Sequence, residues 1–81
     1  MSFEEYLDTV VGIPPQREVV VENSNLFVPG NLYDCYSPAD KFLGVITVES
    51  EEFWSHTITL KDPFPKWLRV GVKIGLHKER P

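Results

Sequence analysis

The alternation of apolar and polar residues predicts a chain built mostly of β-strands. In residues 68–76, written LRVGVKIGL, five aliphatic side chains alternate with Arg69, Gly71, Lys73 and Gly75. Successive side chains of a strand point to opposite faces, so this pattern predicts an apolar core face and a thin, basic outer face. Glycine within a strand marks either strong bending or the close approach of another chain. The sequence leaves both explanations open.

Four earlier segments have the β-branched and aromatic content typical of strands: 17–22, 31–37, 42–49 and 54–61. The connections between them are short and rich in turn-forming residues, so helical crossovers are excluded and the sheet should be antiparallel. Five short strands within residues 17–76 predict a small barrel or a strongly curved sheet, SH3-like or OB-like. The Pro-Gly turn followed by an aromatic strand and FLGVITVE is similar in pattern to SH3-like barrels, although no family is identified.

At the start of the chain the apolar residues are spaced as in a helix and not as in a strand, which predicts a short helix over residues 2–11. Ser2 and Glu5 have the spacing of a capping box, in which each side chain satisfies a free backbone donor. Four apolar residues lie at helical spacing and would form a stripe that packs on the sheet: Phe3, Tyr6, Leu7 and Val10. The predicted fold class is therefore α+β, mostly β, as a single domain over 1–81 with a short tail at 77–81.

Composition and charge limit the classes of protein to which this chain can belong. The single cysteine, Cys35, cannot form an intrachain disulfide, and we expect it to be a small core residue. The chain has neither a signal-peptide pattern nor a long apolar run, so we expect a cytoplasmic protein. The net charge of −4 divides unevenly: residues 1–52 carry ten acids and two bases, and residues 53–81 carry six bases and two acids. Such a split can mark an acidic and a basic face, but sequence halves rarely map onto faces in so small a domain, so we expect folding to mix them.

The polar residues do not form a catalytic or metal-binding motif. Ser55 and His56 are neighbours on a predicted strand and point to opposite faces, so they cannot act together as nucleophile and base. His56 is expected to be half-buried on the same face as Trp54. Cys35, His56 and His77 lack the spacing of a zinc site. We therefore expect a protein that is not an enzyme and that uses neither a metal nor a cofactor.

The aromatic residues near the C-terminal half carry the functional hypothesis. Aromatic grooves on small barrels bind peptides, and the predicted partner-binding residues are Phe64, Trp67, Arg69 and Lys73, with Tyr33 and Tyr36 nearby. The favoured hypothesis is a non-enzymatic protein-binding module, or a regulator or inhibitor that occupies a partner's surface. Small acidic proteins of this kind include phage-encoded inhibitors of host enzymes.

Two alternatives stay open at this stage. Aromatic rings beside basic residues also bind single-stranded nucleic acid, although the acidic net charge disfavours a dedicated nucleic-acid binder. The same rings would equally serve only to complete a small core. The sequence does not decide between a monomer and a homodimer.

Overall fold

Six antiparallel strands close into a barrel in the computed structural model, which describes residues 6–14, 18–61 and 63–78. The prediction of a small antiparallel barrel is confirmed, with six strands in the described residues instead of five. The strands and one 3₁₀ turn are β1 Asp8–Gly12, β2 Glu18–Val21, the 3₁₀ turn Ser24–Leu26, β3 Leu32–Tyr36, β4 Phe42–Glu52, β5 Thr57–Leu60 and β6 Lys73–Leu76.

The strand order around the barrel is β1-β2-β5-β4-β3-β6, and β6 pairs with β1 to close it. Strands β3, β4 and β5 form a meander, and the long 61–72 connection then returns β6 to the free side of β3. This is a Greek-key arrangement. Closure pairs every strand on both sides, so no open sheet edge remains in the barrel.

The prediction of a helix over residues 2–11 is wrong for residues 6–11, the part of that range that the structure describes. Strand β1 occupies Asp8–Gly12, while residues 1–5 lie outside the described part of the chain. The run TVV is β-branched, and such side chains lose rotamer freedom in a helix. Val10 is buried and Val11 is exposed, which is the two-residue period of a strand. The pairing of β1 with β2 and β6 outweighs the weaker helical spacing.

The last predicted strand is shorter than residues 68–76. Regular pairing begins only at Lys73, because Gly71 has a φ of +99° and reverses the chain in a turn. Glycine alone adopts this conformation without strain. Leu68 and Val72 are buried as predicted, but Val70 at the crest of the turn is 62% exposed. Gly71 therefore marks a turn and not a bent strand.

The Asp8 carboxylate ties β1 to the chain that follows β2. Its Oδ1 accepts hydrogen bonds from the backbone N–H of Thr9 at 2.7 Å and of Glu22 at 2.8 Å. Its Oδ2 accepts another from the N–H of Asn23 at 2.6 Å. Three charge-assisted hydrogen bonds satisfy this buried anion, so Asp8 has a structural role.

Candidate partner-binding groove

An open groove of about 380 Å³ lies where the β3–β4 turn meets the β5–β6 connection. Its lining is mostly apolar, with one cation and one hydroxyl. We call this site the groove; it is lined by Ser37, Pro38, Leu43, Trp67, Arg69, Val70 and Val72. Two of the predicted site residues, Trp67 and Arg69, therefore share one surface.

The position of Trp67 depends on the absence of a side chain at Gly44. A Cβ atom at Gly44 would lie 2.6 Å from Cζ2 of the indole, far closer than real contacts allow. Gly44 pairs with Cys35, whose side chain is in the core, so the two share the inner face of the barrel wall. The half-buried Trp67 ring thus packs against the core and also forms one wall of the groove.

A hydrogen-bonded turn presents Arg69 and Val70 at the groove. The N–H of Val72 donates to the carbonyl oxygen of Arg69 at 3.1 Å, and the N–H of Gly71 donates to that of Val10 at 2.8 Å. These bonds fix the turn on β1. The Arg69 side chain is exposed and forms neither an ion pair nor a hydrogen bond with another described residue. Its charge is available to a ligand.

Tyr36 and Lys73 are absent from the groove lining and belong to a separate cluster, in which Tyr36 is buried at 7% exposure. They are cross-strand partners on β3 and β6. Lys73 Nζ donates to Asp40 Oδ1 at 2.8 Å and lies 4.9 Å from the centre of the Tyr6 ring. The Tyr6 hydroxyl donates to the same oxygen at 2.7 Å. Hydrogen bonds from Lys73 and Tyr6 lower the pKa of Asp40. Lys73 is therefore engaged within the chain.

Two other predicted site residues are absent from the groove lining. Tyr33 is 1% exposed, and its hydroxyl accepts a hydrogen bond from the N–H of Val28 at 2.7 Å. Its ring packs edge-to-face on Phe27 at 4.9 Å, so the prediction of a surface role for Tyr33 is corrected to a core role. Phe64 is half-buried and packs against the core.

Sequence reasoning missed an exposed aromatic pair at the β4–β5 turn. Phe53 is 63% exposed and Trp54 is 69% exposed, and their ring centres lie 5.2 Å apart at an interplanar angle of 82°. The prediction of a strand over residues 54–61 with a half-buried His56 is wrong at its start, because Trp54 and His56 lie in a turn and are exposed. His56 has a φ of +57°, which ends the alternation that the sequence indicated. We call Phe53 and Trp54 the aromatic tip.

Hydrogen bonds brace the aromatic tip against the rest of the barrel. The N–H of Ser55 donates to the Glu52 carbonyl at 3.2 Å, and the Ser24 hydroxyl donates to the same oxygen at 3.1 Å. Nδ1 of His56 lies 2.8 Å from the carbonyl oxygen of Glu22. Glu22 and Glu52 are exposed, so the braced turn carries an acidic margin.

Glu51, at the same end of β4, has an unsatisfied oxygen. Its Oε2 is buried and has no hydrogen-bond partner among the described residues. Glu51 pairs with the buried Ile58, which places its side chain toward the barrel interior. A register shift between Val48 and Ser50 causes this inward orientation. An unpaired buried acceptor costs about 1–3 kcal/mol.

A second feature that sequence reasoning missed is a buried carboxylate that orients a histidine. Asp34 is fully buried; its Oδ1 lies 2.8 Å from His77 Nδ1, and its Oδ2 accepts a hydrogen bond from the Lys78 N–H. His77 lines an open depression in which neither a hydroxyl of serine or threonine nor a thiol occurs among the described lining residues. The pair resembles the base of a catalytic dyad without a nucleophile, so it carries no catalytic assignment.

Cys35 is a core residue, as the sequence predicted. Burial, with a smaller contribution from the neighbouring Asp34 charge, raises the pKa of its thiol to about 12. A thiol with this pKa is unreactive near neutral pH, because the thiolate is the nucleophile. Within the part of the chain that is described, three or more metal-ligating side chains do not gather at any point.

No protein-family model, curated protein or solved structure matches this chain. Among the described residues, no helix is long and apolar enough to cross a membrane. The geometry of the groove and of the aromatic tip therefore carries the functional proposal.

Proposed function

We infer that this protein is a small non-enzymatic protein-binding module, a regulator or inhibitor that acts by holding a segment of a partner in the groove. The observation that carries this proposal is the combination of an apolar lining with an Arg69 that forms no ion pair with another described residue. The SH3-like or OB-like character of the barrel and a cytoplasmic location belong to the same proposal. A phage-type inhibitor of a host enzyme is one form that such a module takes.

The lining indicates the chemistry of the bound segment. Pro38, Leu43 and Val70 offer apolar contacts beside the Trp67 indole, which suits an aliphatic or aromatic side chain. Arg69 lies in the groove, and its planar guanidinium binds a carboxylate through two parallel hydrogen bonds. The preferred ligand is therefore an extended segment with one apolar anchor followed or preceded by an acidic residue.

Binding to labelled peptides tests the proposal. The probe has one tryptophan flanked by glutamates, and a matched peptide replaces the glutamates with lysines. Fluorescence anisotropy should show that the acidic peptide binds more tightly and that salt weakens its binding. Amide shifts in an NMR titration should map to the residues that line the groove.

Variants of the protein make the test specific to the groove. Val70→Asp places a carboxylate at the groove, and we expect it to weaken binding of the acidic peptide by about tenfold or more. Val28→Asp is the matched control, since Val28 is 52% exposed and lies outside the groove lining. Equal affinities of the two variants, or shifts confined to other surfaces, would refute the proposal.

Single-stranded nucleic acid is the second candidate, favoured by Arg69 beside the Trp67 indole. Two observations weaken it: Lys73 is paired with Asp40, and one side of Trp67 packs at Gly44. Anisotropy with labelled single-stranded DNA and RNA measures this directly. A steep loss of affinity with salt would support the nucleic-acid function, and the absence of binding at low salt would remove it.

A further inference from the structure

The aromatic tip has the properties of a binding anchor. The two rings are large, apolar and mostly exposed, and their edge-to-face contact fixes their relative orientation. The turn that carries them is held by hydrogen bonds to Glu52 and by the contact of His56 with Glu22. Such preorganised rings lose little conformational freedom on binding, which favours affinity.

The charge around the aromatic tip selects a basic partner. Three exposed acids, Glu22, Glu49 and Glu52, lie on the segments that carry or hold this turn. Lys41 immediately precedes β4, whereas Glu49 and Glu52 lie at the other end of that strand, next to the aromatic tip. Both glutamates are exposed. A complementary surface should therefore combine an apolar recess with cations at its margin.

The groove of this same chain meets both requirements. Its lining is mostly apolar, and its volume of about 380 Å³ is at the lower end of the range of ligand pockets, enough for a large side chain. Arg69 lines it without an ion partner among the described residues, and the exposed Lys66 directly precedes Trp67. The groove and the aromatic tip are complementary in charge and in polarity.

The fold prevents one molecule from filling its own groove with its own aromatic tip. Leu43, near the start of β4, lines the groove, and the aromatic tip follows the last residue of the same strand. A strand of 11 residues extends up to about 33 Å, and the long axis of the molecule is 36 Å. The two surfaces therefore lie toward opposite ends of β4, and a contact between them joins two molecules.

We propose that the groove binds the aromatic tip of a second copy of this chain, so that the protein associates head to tail. This inference rests on the proposed function, because it names the partner segment that the groove takes. The contact joins two different surfaces, so copies add head to tail into open chains or closed rings with more than one species in solution. Two aromatic side chains bury about 150–250 Å² each, which is small beside a standard interface of about 1,600 Å², so association should depend on concentration.

Complementation between two variants of the full-length chain tests the proposal. The tip variant carries Phe53→Ser and Trp54→Ser, and the groove variant carries Arg69→Glu and Val70→Asp. Circular dichroism first establishes that both are folded. Sedimentation velocity over a concentration series should show a growing series of species for the wild type and a single monomer for each variant alone. The Val28→Asp control should behave as the wild type.

The mixture of the two variants gives the decisive result. One intact groove and one intact tip remain, so an equimolar mixture should form a 1:1 dimer and nothing larger, and added salt should dissociate it. A wild type that stays monomeric at every concentration, or a mixture that stays monomeric while the wild type associates, would overturn the proposal. If the wild type is monomeric but its groove still binds the acidic peptide, the proposed function survives and only self-association is rejected.

Discussion

The groove and the aromatic tip each contain one of the two tryptophans of the protein, in opposite environments. Trp67 packs at Gly44 and completes one end of the core, while its other side faces the groove. Trp54 stands on a turn and contacts Phe53. The comparison shows that residue type does not separate a ring packed on the core from an exposed ring, because the packing partners decide the burial.

The two regions also differ in how their charges are used. Beside the groove, Lys73 is held by Asp40, and Arg69 has no ion partner among the residues that the structure describes. At the aromatic tip the exposed charged side chains are those of Glu49 and Glu52, whereas one buried oxygen of the nearby Glu51 has no hydrogen-bond partner among the described residues. The exposed charges beside the two regions therefore have opposite sign.

The largest expected difference is in stability after removal of each indole. Trp67→Ala should lower the free energy of unfolding by about 2–3 kcal/mol, because it removes a half-buried ring from the end of the core. Trp54→Ala should change it by less than about 0.5 kcal/mol, since the ring is exposed. Urea denaturation followed by circular dichroism measures both values. Equal losses would abolish the distinction between the two regions.

Gly44→Ala should disturb the groove end alone. The new Cβ would force the rigid Trp67 ring to move, at a cost of about 1–3 kcal/mol. In a Trp54→Phe background, where Trp67 is the only tryptophan, its emission should shift to the red as the ring becomes more hydrated. Alkylation of Cys35, which pairs with Gly44, should also accelerate, whereas variants of Phe53 should leave that rate unchanged. An unshifted emission would mean that the groove tolerates the methyl group.

Glu51→Met should stabilise the protein by about 1 kcal/mol, because it keeps the length of the side chain and removes a buried oxygen that has no hydrogen-bond partner among the described residues. The matched control is Glu49→Met, at an exposed position of the same strand, which should change stability by less than about 0.5 kcal/mol. Thermal unfolding of both variants measures the difference. Destabilisation by Glu51→Met would show that this carboxylate has a partner in solution.

The smallest expected effect is the pH dependence at Asp40, which is exposed. Its pKa is lowered from the ordinary value of 3.8 by hydrogen bonds from Lys73 and Tyr6. A lowered pKa in the folded state stabilises the protein above pH 3.8, and the stabilisation is lost as pH falls through the folded value. Asp40→Asn should therefore be less stable than the wild type at pH 6, and the two should converge at low pH. A difference that does not vary with pH would exclude this carboxylate as its source.

Part of the groove was predictable from local sequence. A tryptophan in a proline-bounded loop, followed by an arginine, is difficult to bury completely, and both residues line the groove. Tyr33 was not predictable in the same way, because its hydroxyl bonds to Val28 only after β3 enters the barrel. The aromatic tip was missed because the apolar and polar residues of WSHTITLK alternate as in a strand throughout. Only its later residues, Thr57–Leu60, form β5, while its first three residues lie in a turn.

The sequence by itself determined the antiparallel β character, the strands from β2 to β5 and the burial of Cys35, Leu68 and Val72. These features depend on residue type and on a period of two, which are local properties. Only the tertiary structure decided that residues 8–12 form a strand, since their pairing partners lie in β2 and β6. Barrel closure also decided which tryptophan packs on the core and which stays exposed, because a side chain is buried only when distant segments of the chain supply its neighbours.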